Sequence, residues 1–130
     1  MEQATQLSIA VENAPGQLGR LCRVLAQAGV NIRGLSVSDA IDFSTIRVLV
    51  GDPASAKRAL REAGLCFAAQ EVLVLELDDK PGALEDVAMR LGEGDVNVHY
   101  IYGTSGGHEG KAVLVLRVSD TTRARQILAE

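Results

Sequence analysis

Leu7-Ser8-Ile9-Ala10-Val11-Glu12-Asn13-Ala14-Pro15-Gly16-Gln17-Leu18 is written twice in this chain, the second time as Leu73-Val74-Leu75-Glu76-Leu77-Asp78-Asp79-Lys80-Pro81-Gly82-Ala83-Leu84. Val30-Asn31-Ile32 returns as Val96-Asn97-Val98 at the same offset (7 to 73, 31 to 97). A repeat of fixed spacing means that each copy is one structural unit. Within each copy, apolar residues alternate with small or polar ones and a Pro-Gly pair breaks the run. An apolar stripe at helical spacing follows, and a Val-Asn-(Ile/Val) start opens the next strand. Two such copies imply a pseudo-symmetric pair, with the seam between them a natural place for a small ligand.

Working outward, Leu7, Ile9 and Val11 have the period-2 pattern of a half-buried strand. From Gln17 to Ala28 the residues Leu18, Leu21, Cys22, Leu25 and Ala28 recur at helical spacing, and Gly29 supplies the stop. Val30 to Ser38 and Ser44 to Val50 read as strands. Asp52 caps a helix that opens on Pro53 and ends at Gly64, and Leu65 to Gln70 reads as a fourth strand. The second copy starts without a linker: strand Val72 to Leu77, helix Ala83 to Glu93 with Leu84, Val87, Ala88 and Leu91 inward, strands Val96 to Tyr102 and Lys111 to Val118, and a last helix from Thr121 to Ala129. The order βαββαβ indicates a split βαβ, ferredoxin-like module of class α+β, with an antiparallel sheet and both helices on one face. The boundaries read as 1–71 and 72–130. The second copy lacks a fourth strand of its own. Either the sequence is truncated, or residues before Leu7 extend the first strand, or a partner covers the edge, because a bare edge is an aggregation hazard.

Composition limits the functions open to this chain. Its 130 residues carry a net charge of −4, 47% hydrophobic residues and 3% aromatics without tryptophan. An acidic balance with so few aromatics excludes a nucleic-acid surface of the usual basic, base-stacking kind. No apolar run reaches the ~20 residues that span a bilayer, and Met1 to Gln6 is no signal segment, so the expected setting is cytoplasmic, away from membranes. Cys22 and Cys66 cannot form a disulfide framework and read as structural. Together with His99 and His108 they are too few and too scattered for a metal centre. The glycine-rich segment Gly103 to Gly110 lacks the Gly-Lys-Ser/Thr ending and lies between strands, so it reads as a hairpin loop. The pairs Asp78-Asp79 and Glu85-Asp86 fit turn and helix-start chemistry. No nucleophile with base and orienting group stands out. The expectation is a protein that is not an enzyme and uses no cofactor.

What remains are the turns themselves. Each Pro-Gly pair lies between a strand and a helix, where free N–H groups and the helix N-terminus favour an anion such as a carboxylate. The amides of Asn13 and Asn31 offer both donors and an acceptor, as an ammonium and a carboxylate together require. The same residues equally fit a purely structural turn and strand start.

The chain resembles the ACT domain family of small-molecule-sensing modules. The resemblance rests on Asn13-x-Pro15-Gly16-x-Leu18 with Gly29-Val30-Asn31-Ile32, and on Asp79-x-Pro81-Gly82-x-Leu84 with Val96-Asn97-Val98. It covers nearly the whole chain as two tandem modules without a catalytic domain. It implies a side-by-side, eight-stranded-type antiparallel sheet with four helices on one face and a free amino acid bound in the seam. One implied site uses Asn13, Pro15, Gly16, Gln17 and Leu18 with Asn97 and Val98. The mirror site uses Asp79, Pro81, Gly82, Ala83 and Leu84 with Asn31 and Ile32. The serine-sensing member of the family in phosphoglycerate dehydrogenase has the same Glu-Asn-x-Pro-Gly turn, and Asn13 and Asn31 match its effector-binding asparagines. Val11 stands where that member has a ligand-binding histidine, so serine specificity does not carry over. Asp79 in place of asparagine makes the two sites unequal, with the Asn13 turn the better one. The implied role is regulatory, through shape or partner affinity. The implied partners are a second copy in a homodimer or a metabolic enzyme. The rival role is a scaffold subunit that binds no ligand.

Strand alternation adds one expectation. If Leu73, Leu75 and Leu77 face the helices, then Val72, Val74, Val113, Val115 and Leu49 form an aliphatic patch on the other face. Such a patch marks a contact surface.

Overall fold

The computed structural model describes residues 1–104 and 107–129. Ten elements follow one another: β1 (Glu2–Glu12), α1 (Gln17–Gln27), β2 (Ile32–Asp39), β3 (Phe43–Val50), α2 (Pro53–Glu62), β4 (Phe67–Asp78), α3 (Ala83–Glu93), β5 (Val98–Thr104), β6 (Lys111–Val118) and α4 (Thr121–Leu128). The chain divides into two compact units, Thr5–Gln70 and Met1–Ala4 together with Glu71–Glu130. Within the expected Gly103–Gly110 hairpin loop, Ser105 and Gly106 lie outside the described residues.

In the unit Thr5–Gln70 the strand order is β2-β3-β1-β4. β1 and β3 pair antiparallel with Ile9 opposite Ile46, and β2 joins the far side of β3 with Leu35 opposite Val48. Leu7, Ile9 and Val11 project to the helix face, where they form a core with Leu21 and Leu25 of α1 and Ala56 and Leu60 of α2. Full burial of each such leucine contributes about 1.5–3 kcal/mol. Asp52 caps α2 as its sequence position indicates: its carboxylate accepts from Ser55 N at 3.1 Å and from Ser55 Oγ at 2.6 Å.

The unit containing Glu71–Glu130 repeats the plan. β4 pairs with β6 (Leu75 opposite Leu114) and β5 lies on the outer side of β6 (Tyr102 opposite Val115). Leu73 and Leu75 pack with Val87 and Leu91 of α3 and Ala124 of α4. The start of β1 is fastened here, since Arg125 Nη1 of α4 donates to Gln3 Oε1 at 3.0 Å.

Several expectations need correcting. There are six strands among the described residues, not eight. The segments read as Leu65–Gln70 and Val72–Leu77 are one strand of 12 residues, because no Gly or Pro interrupts Gln70-Glu71-Val72. One expectation is met: β1 begins at Glu2, so residues before Leu7 do extend the first strand, through a polar segment that only pairing with neighbours could make a strand. Leu18 and Leu84 were placed on the inward stripes of their helices but are 42% and 45% exposed. Ala28 and Ala88, read the same way, are also exposed. Cys66 is exposed and not a core residue, while Cys22 is half-buried. The aliphatic patch is not a free surface either. Leu49, Val72, Val74 and Val115 are all buried within the chain and Val113 is half-buried. Alternation tells which face a side chain is on but not whether that face is covered. A sheet face exposed for docking is therefore absent at these residues.

No described helix is long and apolar enough to cross a membrane.

Candidate functional site

The two strand-to-helix turns have the same backbone construction. In the first, Asn13 N donates to Asp42 O at 2.9 Å, Ala14 N to Glu12 O at 3.0 Å and Gln17 N to Ala14 O at 3.5 Å. In the second, Asp79 N donates to Gly110 O at 2.9 Å, Lys80 N to Asp78 O at 2.9 Å and Ala83 N to Lys80 O at 3.4 Å. Gly16 and Gly82 stand at the N-caps with φ of +88°, a conformation that glycine adopts without a Cβ penalty. Neither helix receives a side-chain cap. Arg20 N bonds to Gly16 O and Asp86 N to Gly82 O. The amides of Leu18 and Gly19, and of Leu84 and Glu85, have no acceptor among the described residues. An uncapped first turn of this kind leaves donors for an anion.

The turns differ in charge. The first turn of α1 has no acidic residue, and Arg20 and Arg23 line a shallow cleft of about 370 Å³ with Gly16 and Gly19. The first turn of α3 carries Glu85 and Asp86, which already complement the helix dipole and oppose a second negative group. Asn13 uses its amide nitrogen to hold Ala40 O at 3.3 Å, which directs its carbonyl oxygen to other donors. Asp79 replaces that amide with a carboxylate.

Every residue expected at the sites is exposed or half-buried, as ligand contact requires. Within one unit, however, the residues fall into two separate groups. Asn13 lies beside the β2–β3 connection, through Asp42 and Ala40. Asn31 lies at the other end of β2, where its carbonyl accepts from Gly51 N at 3.0 Å. The 8 residues of β2 between them span roughly 25 Å. In the other unit Asp79 is joined to Gly110 at one end of β6, and Asn97 to Ser119 at the other, with Asn97 N donating to Ser119 Oγ at 2.9 Å. A free amino acid cannot bridge either distance, so the Asn13–Asn31 pair does not clasp one ligand inside a unit. Ile32 and Val98 each begin a strand interrupted by a bulge.

Sequence reasoning missed a larger feature beside the second turn. Pro81, Gly82 and Ala83 form one side of a cleft of about 680 Å³. Asp78, Lys80 and Lys111 stand on its rim. Lys111 Nζ donates to Asp78 Oδ1, and Lys80 Nζ is 3.8 Å from Asp78 Oδ2. The hydrogen bond and charge of Lys111, with a smaller contribution from Lys80, hold the Asp78 carboxyl below the ordinary carboxylate range. Asp78 in turn raises the Lys111 ammonium above the ordinary lysine value. The repeat gave no hint of this cleft, because Lys80 and Lys111 have no basic counterparts at Ala14 and Phe43, their places in the first copy. Among the described residues no cluster of His, Cys, Asp and Glu could hold a metal ion.

A family model described as an ACT domain pair matches residues 2–130. The chain belongs to that family. Among solved structures, protein BT0572 from Bacteroides thetaiotaomicron has 30% identity to this ACT pair, with a TM-score of 0.91, over 98% of this chain and 87% of its own. The ligand-free regulatory subunit of aspartate kinase from Thermus thermophilus has 12% identity and a TM-score of 0.67, over 99% and 96% of the two chains. Its Thermus flavus equivalent has 12% identity and a TM-score of 0.68, over 99% and 92%. At that identity the likeness is one of fold. No curated protein matches the sequence.

Proposed function

We propose that this ACT pair is a regulatory protein that binds a free amino acid, and that the turn from Asn13 to Gly19 anchors it. The uncapped, acid-free first turn of α1 carries the reading: the Leu18 and Gly19 amides suit a carboxylate, and Arg20 and Arg23 stand nearby. The Asn13 carbonyl oxygen accepts from the ligand's ammonium, while the Asn13 amide nitrogen stays on Ala40 O. Pro15, Gly16 and Gln17 shape the turn. The Asp79–Leu84 turn is the unequal counterpart, and Asn31 and Ile32, a strand's length from the Asn13 turn, do not touch that ligand within their unit. Two structural neighbours are regulatory subunits of aspartate kinase, which supports a regulatory role carried on this fold. The chain itself then performs no chemistry. It acts by preferring one shape or partner when occupied, which requires different ligand affinities in the two states.

The test is thermal unfolding of the whole chain against each of the twenty amino acids at millimolar concentration. Binding to the native state alone stabilises by about 2.7 kcal/mol at a hundredfold excess over Kd. A rise in melting temperature with one or a few amino acids supports the reading and names the effector. No rise with any of them removes it and leaves a ligand-free scaffold.

A further inference from the structure

We infer that the tip of the β2–β3 hairpin is a docking wedge for another protein, one that offers an apolar groove with a basic rim. The inference goes beyond amino-acid binding and does not depend on it. Val37, Ile41 and Phe43 are 47%, 95% and 61% exposed, and all three lie within residues 37–43. Single exposed apolar side chains are ordinary on a protein surface, but a cluster of them marks an interaction site. Phe43 is one of only two phenylalanines in the chain, and aromatic residues are enriched at interfaces. The fold does not require these side chains. In the other copy the β5–β6 hairpin has Glu109, Gly110 and Lys111 at the places of Ile41, Asp42 and Phe43. It closes onto Asp79 N through Gly110 O as this one closes onto Asn13 N through Asp42 O.

The tip is ordered before it meets a partner. Besides the Asn13 N bond to Asp42 O at 2.9 Å, Asn13 Nδ2 donates to Ala40 O at 3.3 Å and Ala40 N to Phe43 O at 2.7 Å. A turn fixed in this way loses little conformational freedom on docking. Val37 stands opposite Ile46, three residues from Phe43, so strand alternation puts Val37 and Phe43 on opposite faces of the hairpin. With Ile41 in the connection, the tip is a wedge with apolar flanks, a shape that fits a groove rather than a flat surface. Its charge names the rim of that groove. Asp39 and Asp42 flank Ile41, and Glu12 pairs with Phe43 across the strands. Arg47 sits further down the hairpin, opposite Ser36, and donates to Ser38 Oγ at 3.1 Å. An acidic wedge is repelled by anionic lipid and by a phosphate backbone, and is drawn to a basic-rimmed groove on a protein. On a second copy of this chain, the cleft beside Pro81 carries as many acidic as basic groups, Glu76, Asp78 and Asp86 against Lys80, Arg90 and Lys111. The cleft at Arg20 and Arg23 is otherwise lined only by Gly16 and Gly19. Neither receives the wedge, so the occupant is a different protein.

The experiment is isothermal titration of the whole chain with a designed helical protein that has a leucine-lined groove, made in two versions with lysine or glutamate on the rim. It is repeated on Ile41→Ser and Phe43→Ser and on Met89→Ser, a control on α3 that is 58% exposed and away from the tip. Circular dichroism checks that each variant keeps its fold; if Phe43→Ser loses it, Ile41→Ser decides, because that side chain is already 95% in water. The lysine version should bind more than about tenfold tighter than the glutamate version. Ile41→Ser and Phe43→Ser should each weaken it about tenfold or more, as at the centre of an interface, and Met89→Ser should leave it unchanged. No binding, equal binding of the two versions, or folded tip variants that bind like the parent overturns the proposal. Light scattering is the second readout. A parent mass of more than one copy that falls to one copy in Ile41→Ser assigns the tip to self-association and overturns the proposal as well. None of these results bears on amino-acid binding, which the thermal screen tests separately.

Discussion

Gly29 and Asp95 hold the same place in the two copies, just after the first helix of each, and both have left-handed backbone, with φ of +71° and +60°. The chain must reverse there to bring Val30 N onto Leu25 O and Val96 N onto Leu91 O, each at 2.9 Å. Glycine adopts this conformation freely. Asp95 adopts it with a Cβ, and adds a negative charge at the negative end of α3. Asp95→Gly should therefore stabilise the protein by about 1 kcal/mol, and Gly29→Ala should destabilise it by a similar amount. Urea unfolding of the two variants checks the pair. A destabilising Asp95→Gly would mean that the aspartate side chain has a role beyond this backbone turn.

That relationship also shows what the sequence made legible. The repeat placed both helix stops, both Pro-Gly turns and the ferredoxin-like order, because each is a local signal of residue type at fixed spacing. Leu73 and Leu75 were correctly assigned to the helix face by alternation alone. Other features depended on long-range packing. β1 reaches back to Glu2 through residues with no strand pattern, held partly by the Arg125–Gln3 contact across 122 positions. Val72 and Val115 were placed on the correct face, but their burial could not be read from period. The cleft beside Pro81 has no motif, since it arises where side chains fail to fill space.

Asn13→Ala should weaken the effector about tenfold or more, the expected cost of removing a hydrogen bond to a charged group. Its effect on the unliganded melting temperature should be small, because its bond to Ala40 O is exposed. Asn31→Ala should leave binding at the Asn13 turn intact, since the length of β2 lies between the two residues. Titration of both variants with the effector found by thermal screening makes the comparison. Equal losses in both would show that the turn does not hold the ligand as described.

The Asp78–Lys111 pair should give stability a defined pH window. The lowered carboxyl of Asp78 contributes stability that is present above its ordinary value of 3.8 and lost as pH falls through the folded value. The raised ammonium of Lys111 contributes stability present below its ordinary value of 10.5 and lost as pH rises through the folded value. Asp78→Asn should thus lower the melting temperature most between about pH 5 and 9, and the gap from the parent protein should close in strong acid. Both groups face solvent, so the gap should also shrink with added salt. A gap that is independent of pH and salt would assign the effect of the variant to the turn rather than to the ion pair.

Leu18 and Leu21 are one helical turn apart in α1 and belong to the same apolar stripe by sequence, yet Leu18 is 42% exposed and Leu21 1%. The helix starts beyond the end of β1, so its first turn carries Leu18 past the sheet, while Leu21 and Leu25 come down onto Leu7 and Ile9. The second copy does the same, with Leu84 45% exposed and Leu91 fully buried. Leu21→Ala and Leu91→Ala should each cost about 2–5 kcal/mol, the range for emptying a packed leucine site. Leu18→Ala and Leu84→Ala should cost under about 1 kcal/mol, because little area leaves water at either position. If these two leucines contact a bound ligand, their truncation will instead lower effector affinity, a loss that Leu21→Ala would show only through instability. Denaturant unfolding with and without effector separates the two roles, and a large stability loss at Leu18 without ligand would place that side chain in the core after all.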